Sequence, residues 1–143
     1  MDLPQSIFPV ISCADLDANR DFYRELLGLD VVFESGWYTL LRSRTDSNVQ
    51  LGFVLANHTT VPRELRTTAS GVLVSVIVRN VDEVFARAVE MNANIVWPLC
   101  DEDFGQRHFM AADPAGLVVD VITPIRPTRG FLEVVAAWRK ANR

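Results

Sequence analysis

The chain has 143 residues, 49% of them hydrophobic and 22% charged, which suits one domain with a proper core or two small similar halves. Its formal charge of −4 supplies no basic stripe for phosphates and argues against a nucleic-acid partner. No leader-like start and no apolar run of about 18 residues is present, so no export and no membrane partner is expected. Cys13 and Cys100 stand in unlike contexts and read as unpaired thiols of a cytoplasmic protein.

Ile7 to Ser12 is an apolar run that suits a strand. Asp15 then stands as a helix N-cap, and Phe22, Tyr23, Leu26 and Leu27 recur at helical spacing up to the terminator Gly28. Val31–Glu34 and Trp37–Leu41 read as a hairpin about Ser35-Gly36, and Val49–Leu55 as a further strand. Residues 56–70 lack periodicity and form a linker.

After the linker the pattern begins again. Gly71–Val78 predicts a strand, and Asn80 caps a helix carrying Val81, Val84, Phe85, Ala88 and Val89 on one face. Ala93-Asn94 closes that helix, Ile95–Trp97 is a strand and Pro98–Phe104 a loop. Strands then flank a turn in which Asp113 bonds back to the backbone, Pro114 sets φ and Gly116 ends the reversal. Beyond it, Val118, Asp120 and Ile122 share one face of the final strand, so a carboxylate lies among aliphatics. Sliding the first half by 65 residues sets Asp15-Leu16-Asp17 on Asn80-Val81-Asp82. The fold class is therefore α+β: two βαβββ modules, about 5–55 and 71–124, forming a cupped mixed sheet within a single domain. A C-terminal helix at about 128–142 carries Phe131, Val134, Val135 and Trp138 on one face, to pack on its own subunit or to serve as a dimer arm.

This order of elements, with Ala14-Asp15-Leu16-Asp17 before Phe22-Tyr23 and Leu27-Gly28, and Phe104-Gly105 before Arg107 and Asp113-Pro114-Ala115-Gly116, resembles the vicinal oxygen chelate superfamily. That group holds glyoxalase I, extradiol dioxygenases, fosfomycin resistance enzymes and bleomycin resistance proteins, and the resemblance runs from about Ile7 to Pro124. It implies that metal-dependent members hold a divalent ion with residues from the first and fourth strands of each module. By that count Phe8 and Leu73 stand where His is expected, with Gln50 and Asp120 at or near the two Glu positions. Phe8 and Leu73 offer no lone pairs, so neither a metal nor another cofactor is expected. The resemblance is closest to the metal-free bleomycin resistance branch, and implies a homodimer and sequestration of a small, largely aromatic or apolar molecule without chemistry. The competing expectation is a metal-dependent lyase, isomerase or dioxygenase.

The expected ligand-binding residues are Phe8, Trp37, Gln50, Phe53, Phe104, Arg107 and Asp120: aromatic walls with a few polar points. Strand alternation allows only one of Trp37 and Tyr38 to face the ligand, and Trp37 is preferred because the branch it resembles has a tryptophan in its groove. For Arg107, pairing with Asp101, Asp103 or Asp120 competes equally with ligand contact. His58 and His108 sit on no position that the resemblance marks as a ligand.

Overall fold

A computed structural model describes residues 1–143. The element order repeats as the sequence predicts: β1 (Val10–Cys13), α1 (Leu16–Leu27), β2 (Asp30–Glu34), β3 (Tyr38–Arg42) and β4 (Gln50–Leu55), then β5 (Leu73–Ile77), α2 (Val81–Glu90), β6 (Asn94–Glu102), β7 (Gln106–Ala112) and β8 (Val118–Pro124), and lastly α3 (Arg129–Ala141). A single 3-10 turn, Arg63–Leu65, interrupts the linker. None of the helices is long and apolar enough to cross a membrane.

Two compact units result. One holds Met1–Val72 and Ala112–Leu117, the other Leu73–Ala111 and Val118–Arg143. The first carries a four-stranded sheet in the order β1-β4-β3-β2, the second one in the order β5-β8-β7-β6. Each has one parallel pair, β1 with β4 and β5 with β8.

In the first unit the Asp15 carboxylate accepts from Ala18 N at 3.0 Å and starts α1, and Gly28 ends it at φ 66°, where a Cβ would be penalised. Leu16, Phe22, Tyr23 and Leu26 of α1 cover one face of the sheet, with Tyr23 and Phe53 ring centroids 5.3 Å apart. Burying Phe53 alone contributes about 1.5–3 kcal/mol. In the second unit Asn80 caps α2 through Glu83 N. Val81, Val84 and Ala88 are buried with Val119 and Val121, and Phe85 meets Phe109 edge-on at 5.2 Å.

Three expectations need correction. The first strand starts at Val10, not Ile7: Pro9 has no N–H for the ladder, though its carbonyl accepts from Gly52 N at 2.9 Å. The second helix ends at Glu90, and Asn92 at φ 52° makes the reversal, a conformation that asparagine tolerates. The expected loop 98–104 is mostly strand, since β6 runs through Pro98 to Glu102. Because β6 is an edge strand, a proline without an N–H can be accommodated there. The Asp113 turn forms as predicted, with Oδ1 accepting from Ala115 N and Leu117 N, each at 2.9 Å. Both cysteines are unpaired, Cys13 buried and Cys100 half-buried.

Candidate functional site

Each sheet packs one face against the helix of its own module, α1 in the first unit and α2 in the second. In the first unit, alternation along β4 puts Leu51 and Phe53 on the helix side, leaving Gln50, Gly52 and Val54 on the other. Register sets Val10 beside Gly52, and Tyr38 beside Val54. On this side Val10, Trp37, Tyr38 and Val54 line an open, apolar groove of about 310 Å³, and Thr60, Val61 and Pro62 of the linker complete its lining. The linker is fixed to the unit by its backbone: Ala69 N donates to Ser12 O, and Ser12 Oγ donates to Thr67 O at 2.7 Å.

Trp37 and Tyr38 both line the groove, which corrects the expectation that only one could. Trp37 precedes β3 in a bend, so strand alternation does not govern it. Its ring stacks on His58 at 4.0 Å and 6°, and the residue stays 36% exposed. Phe53 is fully buried on the helix side. Phe8 lies outside β1 and is exposed.

The second unit gathers a different set. Arg107 lies on the side of α2, where its guanidinium grips both oxygens of Asp82 at 2.7 and 2.9 Å and reaches Asp101 at 3.0 Å. That ion pairing holds the Asp82 carboxyl below its ordinary range. His108, one residue on, faces the other way. It is buried between two carboxylates, with Nδ1 2.8 Å from Asp120 and Nε2 3.0 Å from Glu102. Burial opposes a charge on the ring, but Glu102 and Asp120 together outweigh it and raise the His108 pKa. The Cys100 thiol donates to the same Glu102 oxygen at 3.4 Å. Phe104 meets His108 edge-on at 6.4 Å and remains exposed.

A model of the glyoxalase/bleomycin resistance protein/dioxygenase superfamily matches residues 7–121. The chain belongs to that superfamily. No curated protein matches it. Solved structures of similar fold include a member of the superfamily from Sphaerobacter thermophilus, at 20% identity and TM-score 0.70, covering 85% of this chain and 98% of that one. A glyoxalase-related enzyme from Fulvimarina pelagi is similar at 20% identity and TM-score 0.67, over 85% and 88% of the two chains. TioX from Micromonospora is similar at 20% identity and TM-score 0.68, over 85% and 100%.

The superfamily metal positions do not fit an ion here. The N-caps Asp15 and Asn80 are 65 residues apart, and the same step carries Val10 onto Ser75. Val10 pairs with Gly52, and Ser75 with Asp120, so the counterpart of Asp120 in the first module is Gly52 rather than Gln50. Phe8, Leu73 and Gly52 have no side-chain lone pair to give, and Asp120 is engaged by His108.

Tyr38, the linker residues Val61 and Pro62, and Glu102 and His108 of the chain to Asp120 lie outside the residues that the sequence marks for a ligand. A signal for the last was present. His108 and Asp120 lie on adjacent strands about the Asp113 turn, on the face opposite Phe109 and Val119.

Proposed function

We propose that the protein binds and sequesters a small, flat, largely apolar molecule, without covalent change, in the groove of the first unit. The observation that carries this reading is the groove itself, where two aromatic side chains and four aliphatic ones meet with few polar groups. Its volume of about 310 Å³ sits at the small end of ligand sites and is roomy enough for a bicyclic ring system. Trp37, held in place by the His58 ring, supplies a rigid stacking surface at low entropic cost. A bicyclic ring burying roughly 200 Å² of apolar surface gains about 5 kcal/mol before the cost of lost freedom. Gln50 shares the sheet face of Gly52 and Val54 but lies outside the groove lining, so it is proposed as a polar contact only for a ligand that extends along β4 past Gly52. The superfamily's drug-binding branch is the model for this activity, and a homodimer is proposed with it, since β2, β5 and β6 are outermost strands of their sheets, while the linker bonds to the outer side of β1.

Titration with naphthalene and quinoline compounds, read by tryptophan fluorescence, tests the reading. Saturable quenching in the parent that disappears in Trp37→Phe supports it. Unchanged quenching in that variant, or none in the parent, overturns it.

A further inference from the structure

We infer that Cys100, Glu102 and His108 form a binding site for a zinc-class divalent ion in the second unit. The donors come from β6 and β7, not from the first and fourth strands that the resemblance marks for metal.

The first argument is geometric. Zinc bonds of about 2.0–2.3 Å to N, O and S place tetrahedral donors roughly 3.3–3.8 Å apart. Here Sγ of Cys100 is 3.4 Å from Oε1 of Glu102, inside that range; Nε2 of His108 is 3.0 Å from the same oxygen, a hydrogen-bond distance that an entering ion must open by a few tenths of an ångström, and the three donors all lie within 4.8 Å of one another. Thiolate, imidazole and carboxylate together match a borderline-soft ion rather than magnesium or calcium.

The second argument is charge and proton count. A neutral imidazole has one N–H, yet both ring nitrogens of His108 face carboxylate oxygens at hydrogen-bonding distance. If Nδ1 donates to Asp120, the lone pair of Nε2 points at Glu102. Those two carboxylates flank a side chain that is only 4% exposed. Positive charge between the two carboxylates can come from a second proton on the ring or from a divalent ion beside Nε2, and the ion takes the lone pair and the Glu102 oxygen together. Asp120 then plays the outer part of a carboxylate–histidine–metal chain, fixing the tautomer and aiming Nε2. Coordination by Cys100 as thiolate releases its proton to solvent. Three protein donors leave a fourth position for water, and the Glu102 side chain, 26% exposed, gives the ion a way in.

The test uses the full chain, without a histidine tag, stripped of metal. Calorimetric titration with zinc chloride is expected to give one ion per chain, and cobalt(II) to produce a thiolate charge-transfer band in the near ultraviolet. Cys100→Ser should abolish the band and weaken zinc binding at least tenfold, while Cys13→Ser and His58→Gln keep both. Asp120→Asn should keep the band and weaken zinc tenfold to a hundredfold. Circular dichroism on each variant checks that it folds. No saturable zinc uptake by the parent overturns the site and leaves a protonated histidine as the charge between the carboxylates. A cobalt band that survives Cys100→Ser overturns it too.

Discussion

At the scale of single residues, the groove depends on a side chain that is not there. A Cβ on Gly52 would come within 2.8 Å of the Tyr38 hydroxyl and 3.2 Å of Val10 Cγ2, the two side chains that flank it on the sheet face away from α1. The Tyr38 hydroxyl is the far end of a side chain and can yield, so Gly52→Ala should fall at the low end of the cost of overpacking, about 1 kcal/mol of stability. The displaced ring would narrow the groove. We predict a tenfold or greater loss of affinity for the naphthalene probe, with the urea midpoint little changed, and unaltered affinity would show that the ligand sits elsewhere. Such a role was not legible in the chain, where Gly52 is one small residue in an apolar run. Trp37 was legible as a binding aromatic, but Tyr38 was set against it by an alternation rule that fails in a bend. Phe53 and Arg107 have the residue types of a binding site, and only the pairing of strands with helices shows that they lie on the helix side.

At the scale of elements, much of the pattern could be read because caps and periodicity act locally. Asp15, Gly28 and Asn80 each mark a helix boundary through bonds or dihedrals within a few residues. Strand ends were read less well, since Pro9 and Pro98 act through the partner strand, which a single segment does not reveal. The hydroxyl of Thr39 is another such case. β3 brings Thr39 opposite Phe53 on the helix side, fully buried, and its Oγ1 has no hydrogen-bond partner. An unsatisfied buried hydroxyl costs about 1–3 kcal/mol, and valine has nearly the same shape. Thr39→Val should therefore raise the free energy of unfolding by about 1 kcal/mol at an unchanged urea m-value. A loss of stability would mean that the hydroxyl is satisfied in solution.

At the scale of the molecule, the chain divides into two units but passes between them three times, because the turn Ala112–Leu117 belongs to the first unit while the strands around it belong to the second. Within the first unit the buried Asp113 carboxylate accepts from the Tyr23 hydroxyl of α1 at 2.8 Å. Loss of the first unit would release the turn that joins β7 to β8, so the two units should unfold together. We predict one cooperative transition by circular dichroism and by tryptophan fluorescence alike, and two separated transitions would refute it. Tyr23→Phe should lower stability by about 1–3 kcal/mol at neutral pH, because one buried carboxylate oxygen loses its donor. The sign of the pH dependence follows from the phenol. Burial first, and the Asp113 charge second, hold the Tyr23 pKa far above its ordinary value. The neutral phenol is thus favoured in the folded state, and its contribution is complete below the unfolded pKa of about 10. As pH rises beyond that value, the unfolded phenol ionises first and the contribution falls. The stability gap between the parent and Tyr23→Phe should hold constant from pH about 6 to 9 and close above about 10. A gap that widens in alkali would show that the hydroxyl is not buried against Asp113.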